Sequence, residues 1–359
     1  QDDGKILGLL ESLDLFGFLS NHSMLIDRRL RAATDLDALA RAAAQMNDMI
    51  RRQYRGGTRV ALLARLVQDL NGRLFEQAWQ LIAPPELVQN SCLLVMGSEG
   101  RGEQLLKTDQ DNALLLRDGY VPPDDLPAIC ARFSEALARF GYPPCPGNVM
   151  LSNATWRGTV QDFARRVRKW LVLPEADSLI NLAVFMDAHA VCGDAELLAS
   201  LRRQVFGMLA DDDAMMSRFA AVVDAFGDGT RWWRRMLGGG EANLNVKKAG
   251  MFPLVHGVRS MALAERIDAT STEARIRALQ EAGALDAETA QELTESLHFF
   301  MGLRLKAGLD EMDRGQPVSG KVDLAGLTPL ERDLLKDALA AVRRFRAQLR
   351  LRFRLGAVS

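Results

Sequence analysis

Cysteine, histidine and surplus basic charge are all scarce in this sequence, and each shortage excludes a class of protein. Four cysteines in 359 residues, with no CxxC pair among them, exclude a disulfide scaffold and favour a reducing, cytoplasmic setting. Four histidines without HxxxH or HExxH spacing disfavour a histidine-based zinc site. Lysine and arginine number 45 against 46 acidic residues, so the chain lacks the basic excess typical of proteins that bind nucleic acid or anionic membranes.

Long apolar runs are also missing. No uncharged apolar stretch approaches the ~18–20 residues that a membrane-spanning helix requires, so we expect no membrane partner. What remains is an ordinary globular composition, with 48% hydrophobic and 25% charged residues. At about 100–200 residues per domain, a chain of this length is expected to form two or three folding units.

The hydrophobic pattern divides the chain into a helical start, a short sheet-forming part and a helical end. From 24 to 81 the apolar residues recur at helical spacing, and Pro84-Pro85 ends this part. Continuous apolar runs at Cys92–Met96 and Ala113–Leu116 predict buried strands, and Val149–Leu151 predicts a third. The rest of the chain is mainly helical in pattern. We therefore predict an α+β fold, in which a small mixed sheet follows a helical N-terminal linker and precedes a C-terminal helical bundle.

The C-terminal segment 343–354 carries repeated arginines and no acid, with apolar residues between them. This spacing is typical of a terminal helix that packs one face on the protein, and cations are favoured near a helix C-terminus. The pattern therefore disfavours nucleic acid as a partner.

One stretch, LLVMGSEGRGEQLLKTDQDNALLL (Leu93–Leu116), combines features that suit a phosphate ligand. The first predicted strand ends in a glycine-rich turn, and a helix is expected to begin there. Gly97 and Gly100 let the backbone approach a phosphate closely, Ser98 adds a hydroxyl, and free N–H groups at a helix N-terminus favour an anion. Arg101 can add a bidentate contact to phosphate oxygens.

Two aspartates, Asp109 and Asp111, stand at the beginning of the next strand. Because alternate residues of an extended strand point to the same face, we expect the two carboxylates to lie together. Two hard oxygen ligands suit Mg²⁺, or Mn²⁺, carried in with a nucleoside triphosphate. A lone DxD pair or a lone glycine-rich turn is a weak signal, but the two in this order form a specific one.

This order resembles the DNA-polymerase-β-like nucleotidyltransferase superfamily, whose pattern is a strand, Gly-Ser or Gly-Gly, a variable stretch, and an acidic-x-acidic pair. More closely, GSEGRGEQ and TDQDNA resemble the nucleotidyltransferases of CBS-domain signal-transduction proteins, which are related to protein uridylyltransferases. The segments CPGNVMLSNATW, NLAVFMDAHAVCGD and NVKKAGMFPLVHGVRSMAL extend this resemblance over almost the whole chain.

The resemblance implies a polymerase-β-like sheet and a Mg²⁺-dependent nucleotidyltransferase. Gly97, Ser98, Gly100 and Arg101 would bind the nucleoside triphosphate. Asp109 and Asp111 would bind the metal and carry catalysis. A nucleoside monophosphate would move to a hydroxyl of a protein or small-molecule acceptor.

The sequence departs from the superfamily pattern at two places. Gln110 and Asn112 stand where hydrophobic residues are usual, although the closer relatives share this DQDN form. No acid stands between Glu135 and Asp162, where a third catalytic carboxylate is expected, so Asp187 is the candidate for that role. If no third acid acts, the alternative is a catalytically degenerate module that binds nucleotide for regulation. A helical interaction scaffold is a weaker third hypothesis.

The resemblance also implies a domain plan. Residues 1–22 resemble the closing strand and helix of a CBS module, which predicts a fragment that follows upstream CBS modules. Residues 23–205 would form the nucleotidyltransferase domain with its helical lead-in, and 206–359 a helical domain that binds substrate. Whether the protein forms a homodimer is left open. The candidate substrate-binding residues of the helical domain are Lys247, Lys248 and Arg259.

Overall fold

The helices that precede the sheet agree with the predicted helical periodicity. The computed structural model describes residues 23–172, 176–209, 213–225 and 243–355, so the predicted CBS remnant at 1–22 lies outside the described residues. After helical residues 23–31 come α1 (Leu36–Arg55), α2 (Val60–Ile82) and α3 (Pro85–Gln89). Asp35 caps α1 by accepting a hydrogen bond from the backbone N–H of Ala38, which satisfies one of the free donors of the first turn.

Within the described residues, four strands form a mixed sheet at the centre of the fold. They are β1 (Ser91–Val95), β2 (Asn112–Leu116), β3 (Arg157–Thr159) and β4 (His189–Gly193), in the order β3-β2-β1-β4. Strand β1 pairs antiparallel with both β2 and β4, whereas β3 pairs parallel with β2. A single helical turn, α4 (Gly97–Gly100), follows β1 almost directly. The predicted α+β fold with a small mixed sheet is confirmed.

The two central strands are buried on both faces, which explains their continuous apolar sequences. Around the sheet lie α5 (Leu126–Arg139), α6 (Val160–Val172), α7 (Ala176–Phe185) and α8 (Ala195–Leu209). Leu93 and Leu114 face a core built with α1, α2 and α5. Leu94 and Leu115 face the opposite core, built with α6, α7 and α8. The sheet therefore gives a rigid support to the segment just before β2, which carries the two aspartates.

Two local predictions in this region are wrong. The expected third strand at 149–151 is a turn, in which the carbonyl of Val149 accepts from the backbone N–H of Asn112 at 3.0 Å. The third strand along the chain is instead β3, and β4 forms in a part whose pattern predicted helix. Both observed strands are short, and pairing with β2 and β1 decides their structure more than local propensity does.

The C-terminal half is helical, as predicted. Its elements, in chain order, are α9 (Asp213–Ala225), β5 (Asn243–Leu244), a π-helical turn (Lys247–Met251), α10 (Phe252–Ala264), α11 (Thr272–Glu281), α12 (Ala287–Asp313), β6 (Val322–Asp323) and α13 (Pro329–Arg352). Thr328 and Glu331 form a capping box at the start of α13, and Ser271 caps α11 by accepting from the backbone N–H of Ala274. None of the described helices combines the length and the apolar character needed to cross a bilayer.

The arginines of the C-terminal segment pair with acids of neighbouring helices. Arg346 and Arg350 both bind Asp224, at 3.0 Å, and Arg344 binds Glu292 at 2.7 Å. Phe345 and Leu349 on the same helix are buried in the core. The segment thus packs as the predicted terminal helix, with its arginines engaged within the protein.

Candidate active site

The turn Gly97-Ser98 lies against Asp111, so the two motifs found in the sequence meet in space. Gly97 has a φ of +57°, a conformation that favours glycine. A Cβ atom at Gly97 would lie 2.4 Å from Oδ2 of Asp111, closer than such contacts occur. The backbone N–H of Met96 also donates to the carbonyl of Asp111 at 2.9 Å. Glycine at this position is therefore required for the turn and the carboxylate to come together.

The two amide side chains of the DQDN segment anchor it. Gln110 is buried, and its Nε2 donates to the carbonyls of Ser134 and Tyr142 at 3.1 and 3.2 Å. Asn112 is also buried, and its Oδ1 accepts from the backbone N–H of Leu151 at 2.9 Å. The polar residues at these positions are therefore held by hydrogen bonds in the scaffold, while the alternating aspartates remain at the site.

Asp111 is an electrostatically strained carboxylate. Burial raises its pKa to about 6, and the negative charge of Asp109 adds to the rise. A hydrogen bond from Cys145 and the positive charge of Lys247 oppose it without compensating fully. The ionised form of this aspartate is therefore disfavoured where it is buried, and a bound cation would favour it.

Behind the turn, Asp187 is the centre of a buried arginine cluster. Its Oδ1 accepts from Arg275 at 2.7 Å and from Nε of Arg259 at 3.0 Å. Its Oδ2 accepts from Arg259 at 2.5 Å and from Arg101 at 2.6 Å. Burial alone would raise the pKa of Asp187, but the charges of the three arginines outweigh burial and hold it well below its usual value.

The cluster ties the glycine-rich turn to the C-terminal helices. Arg101 also donates to Glu103 at 2.6 Å, and Glu103 in turn accepts from the backbone N–H of Thr272, at the start of α11, at 3.0 Å. Gly100 fits closely here, because a Cβ atom would lie 2.1 Å from the carbonyl oxygen of Asp187. The turn that carries Gly97 is thus held by ion pairs from a distant part of the chain.

This arrangement changes the expected roles of several candidates. Asp187, expected as the third catalytic carboxylate, has both oxygens occupied by arginines, because burial of its charge demands paired cations. Arg259, expected to bind substrate, is buried in the same cluster. Two nitrogens of Arg101 already donate to carboxylates. Gly100 serves the packing of the turn, whereas Ser98 donates to Gln104 at 3.1 Å at the edge of the site.

A cavity of about 620 Å³ opens beside Asp109, between the sheet domain and the C-terminal helices. Asp109 lines the cavity from the side of the sheet, and Lys247 and Asn245 line it from the C-terminal part of the chain. Burial, followed by the charge of Arg304, lowers the pKa of Lys247, while Asp109 and Asp111 oppose this effect. The position of Lys247 agrees with its predicted role, which stays a prediction. Lys247 and its neighbour Lys248 both keep an exposed surface, but Lys248 does not line this cavity.

Sequence reasoning missed several residues of this cavity. Lys107 donates from Nζ to the carbonyls of Ala43 and Phe140, both at 2.7 Å, and so fixes the loop before Asp109. Arg304 reaches the cavity from α12, almost two hundred positions after the DQDN segment. No local motif marks Arg304. The anchoring role of Gln110 and Asn112 did have a signal in the sequence, because polar residues stand there in place of the usual hydrophobic ones.

The aspartate pair fits a divalent metal. Mg²⁺ in proteins is commonly held by one or two carboxylates together with phosphates of the substrate. Asp109 and Asp111 supply such a pair, and the charge of Asp109 contributes to the raised pKa of Asp111, after burial. Within the described ranges, no group of three histidine, cysteine or acidic side chains is placed to hold a metal ion.

Comparison with known proteins adds two family matches. Residues 44–177 match the family described as "Putative nucleotidyltransferase DUF294". Residues 213–353 match its companion, described as "Putative nucleotidyltransferase substrate binding domain". Together the two matches span well over half of the chain. No curated protein is similar enough to be matched. The cavity beside Asp109 is thus lined by residues of both matched regions.

Proposed function

Since this chain belongs to the DUF294 nucleotidyltransferase family, we propose that it moves a nucleoside monophosphate from a nucleoside triphosphate to a hydroxyl of a protein or small-molecule acceptor. The observation that supports this proposal is the close approach of Gly97 to Asp111, because a Cβ atom at Gly97 would lie 2.4 Å from Oδ2 of Asp111. The turn that we propose to bind phosphate thus lies beside one of the two aspartates. The cavity beside Asp109 has room for substrate.

The residues of the site have separate tasks in this reaction. Gly97 and Ser98 would receive the phosphates, and Gln110 and Asn112 hold the aspartate segment in register. The acceptor oxygen forms a bond to the α-phosphorus while the bond to the β-phosphate oxygen breaks. Pyrophosphate leaves, and the hydroxyl proton is released. Catalysis would come mainly from positioning and charge neutralisation.

Mg²⁺ or Mn²⁺, held by Asp109 and Asp111 when bound, would neutralise charge on the phosphates. We further propose that the activity serves signal transduction in the cytoplasm under the control of CBS modules, which the resemblance of residues 1–22 supports. Those residues lie outside the described part of the chain.

A labelling experiment tests the transfer. The protein is incubated with Mg²⁺, a cell lysate and ATP, CTP, GTP or UTP labelled at the α-phosphate, and transfer of label and release of pyrophosphate are measured. We expect one nucleotide to label an acceptor and to release pyrophosphate in the same reaction. Binding of nucleotide with neither labelling nor pyrophosphate would contradict the transferase.

Removal of the metal is expected to abolish transfer. Chelation with EDTA should stop labelling because the phosphates then face the carboxylates of Asp109 and Asp111 without a neutralising cation. Addition of excess Mg²⁺ or Mn²⁺ should restore the rate, which is followed by label transfer. Transfer at the full rate in EDTA would show that these carboxylates act without a metal.

The Gly97→Ala variant is expected to lose transfer by about a hundredfold or more. The added Cβ would meet Oδ2 of Asp111 at 2.4 Å, and a displacement of about 1 Å at a reacting group can cost that much. Gly57→Ala is the matched control, because Gly57 also has a positive φ, +83°, but a Cβ atom added there would meet open space. Both variants carry backbone strain, so equal losses of transfer in the two would rule out the contact with Asp111 as the cause.

The arginine cluster around Asp187 favours a second candidate function, a nucleotide-binding regulatory module without turnover. With the expected third carboxylate occupied by arginines, the site could bind nucleotide and relay its presence through Arg101 and Glu103 to α11. This candidate predicts saturable nucleotide binding in the labelling experiment, without pyrophosphate. A helical scaffold predicts no saturable binding.

A further inference from the structure

Arg304 on α12 is a half-buried cation without an acidic partner. Its Nε is buried and has no hydrogen-bond partner, and its Nη1 makes only a long contact, 3.6 Å, with Sδ of Met251. Throughout the described ranges, no carboxylate forms an ion pair with it, and Glu103 is the acid whose charge favours its ionised form. The arginines of the cluster differ, because Arg101 and Arg259 both pair with Asp187. A guanidinium whose Nε is buried without a hydrogen-bond partner is unfavourable, and an anion would supply that partner.

The position of Arg304 indicates which anion. Arg304 lines the 620 Å³ cavity together with Asp109 and Lys247. It also lines a small adjoining cavity together with Ser98 and Gln104. Arg304 therefore lines both the cavity beside Asp109 and the cavity beside Ser98.

The other basic residues of the 620 Å³ cavity are already engaged. Lys107 donates to two backbone carbonyls, and Arg139 pairs with Asp37. Among the described residues that line the cavity, Lys247 and Arg304 are the cations left to face a ligand. The charge of Arg304 lowers the pKa of Lys247, after burial, so the two cations are close enough to repel each other. A ligand with several negative charges would relieve that repulsion.

We propose that Arg304, with Lys247 beside it, binds the polyphosphate tail of the nucleoside triphosphate, so that the C-terminal helical domain completes the nucleotide site. The inference rests on the proposed function and extends it from the glycine-rich turn to a residue of the second matched region. A guanidinium suits this task because it can bind two phosphate oxygens at once.

Nucleotide binding by an Arg304→Gln variant tests the proposal. Calorimetry with the full chain measures the Kd of each of the four nucleoside triphosphates and of the matching monophosphates. We expect the triphosphate Kd to rise about tenfold or more, because a charge-assisted contact is lost, and the monophosphate Kd to stay unchanged. Arg304→Lys should recover part of the preference for triphosphate, because it restores the charge without the planar fork.

Lys306→Gln is the matched control on the same helix, since Lys306 pairs with Glu331 at 2.6 Å and does not line the 620 Å³ cavity. Its triphosphate Kd should equal that of the wild type. Circular dichroism and melting temperature show whether each variant is folded. If Arg304→Gln does not fold, the Arg304→Lys variant decides, because a weaker preference for triphosphate than in the wild type is still expected.

The outcomes separate this proposal from the proposed function. If the wild type binds and transfers nucleotide while the Arg304 variants keep its preference for triphosphate, the role of Arg304 is wrong and the transferase stands. If the wild type binds no nucleotide, both proposals fail. An equal loss of affinity for triphosphate and monophosphate would show a general distortion of the pocket and would also overturn the contact with the tail.

Discussion

The Asp111→Asn variant is expected to transfer nucleotide about a thousandfold more slowly than the wild type and to be at least as stable. The asparagine has nearly the shape of the aspartate, so it keeps clear of Gly97 and can still accept a hydrogen bond from Cys145. It removes the negative charge that would hold the metal and the phosphates in place. The loss of transfer therefore comes from charge rather than from shape.

The sign of the stability change follows from the raised pKa of Asp111. Its pKa is about 6 in the folded protein, above the ordinary value of about 3.9 for an unfolded chain. At pH 7 the ionised carboxylate therefore disfavours the folded state, because folding makes its proton harder to remove. A neutral asparagine removes this unfavourable term, so the free energy of unfolding should stay equal or rise.

Two measurements check this prediction, namely the rate of label transfer and urea unfolding at pH 7. Asp118→Asn is the control, since Asp118 is exposed just beyond the other end of β2, and an asparagine oxygen can keep its hydrogen bond from the backbone N–H of Gln161. This variant should leave the transfer rate unchanged and cost little stability. A variant at Asp111 that unfolds more easily and loses activity in proportion would show a structural role. Full transfer in a folded Asp111→Asn protein would remove this carboxylate from the proposed reaction.

The Asp187→Asn variant, unlike Asp111→Asn, is expected to be less stable than the wild type. Its free energy of unfolding should fall by about 3–5 kcal/mol. The exposed fractions of the side chains of Arg101, Arg259 and Arg275 are 11%, 6% and 3%, and that of Asp187 is zero. Without the carboxylate, three cations would remain together in a poorly solvated place. Glu103 would still pair with Arg101, but Arg259 and Arg275 would lose their ion pairs.

The pH dependence should identify the cause. Because the folded pKa of Asp187 lies below its unfolded value, its ionised form stabilises the protein above about pH 4, and this contribution is lost as the pH falls further. The difference in stability between wild type and Asp187→Asn should therefore be largest near neutral pH and shrink in acid. Urea unfolding at pH 7 and at a series of lower pH values measures it.

A surface ion pair provides the control for Asp187. Asp333 pairs with Lys336 at 2.9 Å, and its side chain is 70% exposed, so Asp333→Asn should cost less than about 1 kcal/mol. If Asp187→Asn costs no more than Asp333→Asn, the arginine cluster is not what holds the turn to the C-terminal helices. If the variant is stable but inactive, Asp187 takes part in the reaction instead.

The sequence by itself determined those features that depend on neighbouring residues. The runs Cys92–Met96 and Ala113–Leu116 predicted strands because residues buried on both faces of a sheet must be apolar throughout. A glycine-serine turn followed by two alternating aspartates likewise indicated a phosphate and metal site, because both features can be recognised from residues close together in the sequence. Turn conformation and the alternation of side chains along a strand are local properties. The helices were predicted from hydrophobic periodicity in the same way.

The tertiary structure alone decided which distant charges meet. Asp187 was predicted as a catalytic carboxylate, but Arg101, Arg259 and Arg275 reach it from elements far apart in the chain. Burial makes their pairing obligatory, and burial is a property of the packed fold that no spacing in the sequence reveals. Arg304 was missed for the same reason, because its meaning lies in what surrounds it. It stands in a helix like many other arginines. Only the tertiary packing of α12 places it in the cavities that Ser98 and Asp109 line, without an ion pair of its own.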